Sequence, residues 1–154
     1  DAAQFIGEGA DVIFGAGGQT GSGGILAAAA EGVYVIGVDK DEYFSTFGEG
    51  ETPGAEFLIS SATKRVDQGV LTAVSLLAEG EFEGFGGLLI MDAAQDGVGL
   101  APAHDADIDE ALFEAADEVF ELLATGELET GIDPVTGAML CDEDAEDYEV
   151  PMDD

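Results

Sequence analysis

Two side chains of opposite charge follow predicted β-strands, at positions suited to binding a ligand. Asp39 comes directly after the apolar run VYVIGV (33–38), and Lys64 follows a third apolar run at 56–60. Open α/β sheets bind ligands at the carboxyl ends of their strands. A carboxylate there can accept hydrogen bonds from two neighbouring hydroxyl groups, such as a ribose diol. We therefore predict ligand contacts for Asp39 and Lys64. The alternative for Asp39 is that it is an ordinary acidic residue of a loop, with no role in ligand binding.

Cations are scarce in this chain, which makes the position of each one informative. The chain has three lysines and arginines in total, and two of them are adjacent, Lys64 and Arg65. A chain that keeps two neighbouring cations after a strand suggests a structural or ligand role for at least one of them, and we assign that role to Lys64. The alternative is a simple charge partner for an acid such as Asp67, and Lys40, beside Asp39, could serve instead of Lys64.

The glycine-rich segment GAGGQTGSGG (15–24) follows a predicted strand and precedes a predicted helix. Backbone N–H groups at such a helix start meet anions and polar ligands. The segment lacks the Lys-Ser/Thr pair of a P-loop, and Thr20 breaks the G-x-G-x-x-G pattern. We predict ligand contacts for Gly17 and Gly18, with a tight turn that needs positive φ as the alternative.

Aromatic rings near these segments could stack on a base or a sugar. Phe14 ends the first predicted strand beside the glycine segment, so it joins the predicted ligand-binding residues. Tyr43, Phe44 and Phe47 lie in a polar, glycine-rich excursion at 40–55. The alternative for each ring is a place in the hydrophobic core.

Neither a catalytic group nor a metal site is predicted. His104 is the only histidine and has no neighbouring cysteine, so it makes a poor metal ligand, and we expect it to be exposed. The acids at 105, 107 and 109 lack the glycine and glutamate of a calcium-binding EF-hand loop. We expect Asp41 and Glu42 to be solvated, and we predict no cofactor.

Strand and helix patterns alternate along the chain, which predicts an α/β fold with a mostly parallel sheet. The predicted strands cover 11–14, 33–38, 56–60 and 87–91, and the predicted helices cover about 25–31, 63–78 and 108–124. The first two strands and the helix between them form a βαβ unit, which is nearly always right-handed. We predict that the acid-rich segment 140–154, which contains Cys141, forms a mobile tail.

The charge of the chain excludes several classes of partner. The 154 residues include 35 acids and 3 lysines or arginines, for a net charge of −32. Such a surface repels nucleic acid and anionic membranes. The acids are spread over the whole chain, which favours a solvated, salt-adapted surface over a dedicated cation store. No apolar stretch reaches the length of a transmembrane helix.

Four motifs, in this order and spacing, resemble a known family: GADVIFGAGGQTGSGG, GVYVIGVDKDEY, SSATKRVDQGV and DGVGLAP. Together they are similar to the basic membrane protein family of substrate-binding lipoproteins, the PnrA-like nucleoside receptors of ABC importers. The similarity covers roughly residues 1–125. In that family the aspartate of the GVD-type strand and the lysine of the KRVD-type segment hold a ribose, and these match Asp39 and Lys64.

The resemblance implies a type I periplasmic-binding-protein fold, in which two α/β lobes close on a ligand around a hinge. The chain opens without a methionine or a signal peptide, so we expect a C-terminal fragment of such a protein. Residues 1–60 would belong to the C-terminal lobe, 61–90 would return into the N-terminal lobe, and 91–139 would contain the hinge return and the last helix. The crossing is expected near Ser60-Ser61.

The implied function is capture of a nucleoside, most plausibly a purine nucleoside, without chemistry. The implied partners are ABC permease subunits, and the implied location is extracytoplasmic, with a lipid anchor outside these residues as the membrane contact. Two alternatives stay open at this point. One is a nucleotide- or NAD-dependent enzyme on a Rossmann sheet, and the other is a chemosensory receptor with the same fold.

Overall fold

A four-stranded sheet forms the centre of the computed structural model, which describes residues 2–81 and 87–140. The strands lie in the order β1 (Val12–Phe14), β2 (Tyr34–Asp39), β3 (Leu58–Lys64) and β4 (Val98–Leu100). β1, β2 and β3 are parallel, and β4 is antiparallel to β3. The predicted α/β fold with a mostly parallel sheet is therefore confirmed.

Five α-helices connect and flank the strands in the described residues. They are α1 (Ala2–Gly7), α2 (Gly18–Ala30), α3 (Glu42–Ser45), α4 (Val66–Glu79) and α5 (Glu110–Thr125). Short 3₁₀ helices add Ala55–Phe57 and Ala93–Gln95. The predicted helices at 63–78 and 108–124 thus correspond to α4 and α5, with small differences at their ends.

Helix α2 begins at Gly18, seven residues before the start predicted from its alanines. Glycine disfavours helix, but packing against the sheet outweighs this preference here. A Cβ on Gly21 would overlap the carbonyl oxygen of Gly15, so only glycine lets the first turn lie this close to the end of β1. Most of the glycine-rich segment is thus the first part of α2, where glycine allows close packing against the end of β1, and only its first residues form a loop.

The core lies between α2 and the sheet. Its fully buried apolar side chains include Ile25, Phe47, Leu58 and Val35, and small alanines of α2 pack among them. Phe47 comes from the excursion between β2 and β3, so this segment is part of the core and not a detached loop. Phe47 is 0% exposed, which settles its role as a core residue and not a stacking surface.

Two predicted strands are corrected by the structure. The strand predicted at 56–60 runs instead over Leu58–Lys64, because β2 and β4 flank it and give its backbone groups partners as far as Lys64. Residues 87–91 form no strand, because their backbone does not pair with any strand of the described sheet. Residues 141–154, which hold Cys141 and nearly all of the predicted mobile tail, lie outside the described residues.

The surface acids outnumber their partners, which predicts a salt-dependent stability. In residues 2–81 and 87–140, two acids form ion pairs, Asp39 with Lys64 and Asp67 with Arg65, and a third, Asp41, makes a close contact with the ring of His104. Repulsion among the other acids destabilises the compact state, and about 1 M salt reduces the Debye length to roughly 3 Å. We expect the melting temperature to rise from dilute buffer to molar sodium chloride, as measured by calorimetry. Potassium chloride should act alike, and a flat profile would contradict the prediction.

Candidate functional site

The carboxyl ends of β2 and β3 bring the two predicted binding residues into contact. Asp39 is the last residue of β2 and Lys64 the last residue of β3, and Asp39 lies opposite Thr63 in the register of the two strands. The Lys64 ammonium is 2.9 Å from a carboxylate oxygen of Asp39. The side chains of Asp39 and Lys64 are 54% and 63% exposed, so the pair is open to an incoming ligand.

The backbone at Asp39 is strained. Its φ is +69°, in the left-handed region that most non-glycine residues avoid. The N–H of Lys40 donates to the carbonyl oxygen of Val38 (2.9 Å), so Asp39 stands at the centre of a three-residue turn. Conformations of this kind concentrate at functional sites and persist only where the surroundings hold them.

The glycine segment lies at the same edge of the sheet, after β1. Gly17 is the N-cap of α2 and has no side chain with which to cap the helix, and Gly18 has a positive φ of 54°. The first N–H groups of a helix have no partner within it, so they are available to polar groups of a ligand. Phe14, the last residue of β1, is exposed beside this loop.

The other two cations differ in their surroundings. The guanidinium of Arg65 donates to the carboxylate of Asp67 (2.8 Å), as the alternative based on charge pairing predicted. The hydrogen bond from Arg65 lowers the pKa of Asp67, and the same bond raises the pKa of Arg65. Lys40 is exposed, next to Asp39. Both Lys64 and Arg65 thus already have a carboxylate partner.

His104 is an exposed residue, as expected, but its ring takes part in a cluster that sequence reasoning missed. Its Nε2 is 2.7 Å from Asp41, and only 17% of its side chain is exposed. The ring stacks on Tyr43 at a centroid distance of 4.0 Å, and Phe44 meets its edge. The Tyr43 hydroxyl donates to Asp105 (2.8 Å), and this hydrogen bond raises the pKa of Tyr43.

The expectation that Asp41 and Glu42 are solvated was wrong. Asp41 is partly buried, and besides its contact with His104 it accepts a hydrogen bond from the N–H of Tyr43, which makes it the N-cap of α3. Glu42 is 1% exposed, and its carboxylate accepts hydrogen bonds from Ser22, Thr46 and the N–H of Val38. A buried carboxylate is tolerated when such donors surround it.

A signal for the buried glutamate was present in the sequence. Gly37 interrupts the β-branched run of β2, and a glycine inside a strand often marks close approach by another group. A Cβ on Gly37 would lie 2.6 Å from the hydroxyl of Ser61 and 2.8 Å from Glu42. His104 had no comparable signal, because its partner Asp41 lies 63 residues away.

The sequence matches a known protein family. Residues 1–122 match the Bmp family, described as PnrA-like substrate-binding proteins of ABC transporters. The chain belongs to this family. The match covers every strand of the sheet and both sides of the Asp39–Lys64 pair, and Bmp-family proteins act outside the cytoplasm. No curated protein matches the chain.

Solved structures show the same fold. The chain is similar to a transcriptional activator of the comK gene from Bacillus halodurans, with a TM-score of 0.67 and 17% identity over 83% of this chain and 41% of that one. It is also similar to an ABC transporter solute-binding protein from Conexibacter woesei, with a TM-score of 0.57 and 20% identity over 83% and 39%. The Bmp chain therefore spans about 40% of the length of each structure. The expected solute-binding-protein fold is confirmed.

None of the helices in residues 2–81 and 87–140 is long and apolar enough to cross a membrane.

Proposed function

We propose that this Bmp chain is the C-terminal part of an ABC-importer receptor that binds a purine nucleoside without chemical conversion. The observation that carries the proposal is the exposed Asp39–Lys64 pair at the carboxyl ends of two neighbouring strands. The carboxylate accepts hydrogen bonds from a sugar diol, and the ammonium donates to the sugar oxygens. Further contacts along the same edge come from the N–H of Gly18, from the backbone of Gly17, whose own N–H donates to the carbonyl oxygen of Gly15, and from the ring of Phe14.

In this proposal the ligand lies between two lobes, and this chain contributes to both of them. We place residues 1–64 in the C-terminal lobe, where the sequence alone predicted 1–60; residues 65–90 enter the N-terminal lobe, and 91–139 return through the hinge and end with α5. Because β3 stays paired as far as Lys64, we place the crossing after Lys64 and not at Ser60-Ser61. Residues 140–154 remain proposed as an acidic tail.

The apolar surfaces beyond the crossing support a second lobe. Helix α4 has a regular apolar stripe, yet none of its residues is buried: Val66, Val70, Leu71, Val74 and Leu77 are exposed. A cavity of about 630 Å³ between β4 and α5 is lined mainly by apolar side chains, among them Phe113 and Phe120. Exposed apolar areas of this kind mark surfaces that another part of a protein covers. Here the rest of the N-terminal lobe is the proposed cover.

The proposed partners follow from the family. Permease subunits of an ABC importer would receive the loaded receptor, and a lipid anchor outside these residues would hold it at the membrane. The family description names ABC transport and substrate binding, which favours an importer over a chemosensory receptor and over a nucleotide-dependent enzyme.

The complete two-lobed receptor is expected to bind free nucleosides better than their 5′-monophosphates. The net charge of −32 repels a phosphate, and Lys64 and Arg65 already pair with carboxylates. Calorimetric titration with adenosine, guanosine and inosine, and with each corresponding monophosphate, measures the preference. Tighter or equal binding of a monophosphate would contradict the proposed ligand class, and binding of NAD would favour the enzyme instead.

A further inference from the structure

The cluster around His104 connects two segments that are distant in the sequence. His104 follows β4, whereas Asp41, Tyr43 and Phe44 lie just after β2. An ionised carboxylate only accepts hydrogen bonds, so Nε2 of His104 carries the hydrogen in its 2.7 Å contact with Asp41. The stacked ring of Tyr43 and the edge contact with Phe44 fix the orientation of the imidazole.

The contact with His104 completes the hydrogen bonding of Asp41. One carboxylate oxygen accepts the N–H of Tyr43, and the other meets His104. Asp41 is therefore held both by its own helix and by the segment that follows β4. This fixed residue is two positions after Asp39, whose backbone has the strained φ of +69°.

The strained turn needs a restraint on each side. On the side of β2, the strand pairing with β3 supplies it, since Asp39 is in register with Thr63. On the other side, Lys40 is exposed and Asp41 is the first residue that tertiary contacts hold. Unusual backbone conformations persist only where the surrounding structure imposes them.

We propose that His104 is a positioning residue of the ligand site: through Asp41 it holds the turn that directs the Asp39 carboxylate toward Lys64 and the ligand. The inference rests on the proposed function for its consequence in binding, but the effect on the turn stands by itself. His104 does not touch the ligand in this account. Its own positive φ of 51° indicates that the 101–105 segment is also constrained at this contact.

Two variants of His104 separate hydrogen bonding from packing. His104→Phe keeps a ring against Tyr43 but removes the donor, whereas His104→Gln replaces Nε2 with an amide N–H that can reach Asp41. We expect His104→Phe to raise the nucleoside Kd about three- to tenfold in the complete receptor. The variant loses the hydrogen bond from His104 to the Asp41 carboxylate, and only part of the energy of that bond contributes to ligand binding. His104→Gln should restore the Kd to within about twofold. A purely structural role would lower the melting temperature of both variants and leave the Kd unchanged.

Amide hydrogen exchange of the unliganded receptor, measured by NMR, tests the turn without any ligand. The N–H of Lys40, which donates to Val38, should exchange about tenfold faster in His104→Phe than in wild type, and His104→Gln should restore its protection. The N–H of Val35 in β2 is the internal control and should not change. Unchanged exchange at Lys40 would overturn the inference, as would an unchanged Kd in a receptor that binds nucleosides. If wild type binds none of adenosine, guanosine and inosine, the proposed function fails, and the exchange rates alone decide the role of His104.

Discussion

Replacing Asp39 or Lys64 by alanine is expected to raise the nucleoside Kd of the complete receptor about ten- to a hundredfold. Each side chain would contribute a charge-assisted hydrogen bond to the sugar, worth roughly 1.5–3 kcal/mol. The exposed ion pair between the two adds little to folding, so the melting temperatures should stay near that of wild type. Calorimetric titration with one nucleoside gives the Kd of each variant.

The geometry also predicts coupling between the two substitutions. The two charged groups are 2.9 Å apart and would bind one sugar. The double variant should therefore lose less binding free energy than the sum of the losses in the two single variants. Glu51→Ala is the matched control, since Glu51 is an exposed acid of the excursion after β2 and should leave the Kd unchanged. A larger loss in Lys40→Ala than in Lys64→Ala would show that the neighbouring cation binds the ligand instead. Asp41 is unsuitable as a control because it caps α3 and contacts His104.

Phe47→Ala is expected to lower the free energy of unfolding by about 3–5 kcal/mol. Phe47 is fully buried between α2 and the sheet, so its loss removes apolar contacts and leaves a cavity. It also fastens the excursion between β2 and β3 onto the core, and this excursion contains Asp41 and α3. Urea unfolding followed by circular dichroism measures the change.

The neighbouring phenylalanine is the matched control for this stability prediction. Phe44 is the same residue type in the same excursion, but it is 55% exposed. Phe44→Ala should therefore cost less than about 1 kcal/mol, the usual range for surface positions. Similar losses in Phe44→Ala and Phe47→Ala would mean that the excursion does not pack as described.

Local patterns in the sequence were sufficient for the three parallel strands of the sheet and for the principal ligand candidates. Short apolar runs predict buried strands, and the residue that follows such a run lies at a ligand-binding edge whatever the rest of the chain does. Asp39 was found in this way and Lys64 from the scarcity of cations, and the structure brings the two to 2.9 Å from each other. The assignment of both to a ligand stays a prediction.

Local sequence patterns were insufficient to predict a helix or strand whose formation depends on contacts with other parts of the chain. The apolar residues at 87–91 have the composition of a strand, but a strand forms only when a second strand pairs with its backbone groups. The start of α2 depends on the close contact between Gly15 and Gly21, since glycine propensity alone argues against a helix there. Local composition therefore misplaced both elements.

The sequence by itself determined the α/β class, the family and the residues at the strand ends, because each of these follows from short-range patterns and motif order. Only the tertiary structure decided that Glu42 is buried, that Phe47 belongs to the core, and that His104 holds Asp41. Residues 41 and 104 are separated by 63 positions that include β3 and β4, and no local periodicity encodes their contact. Burial and long-range hydrogen bonds arise when distant segments meet, so they become readable only in the folded chain.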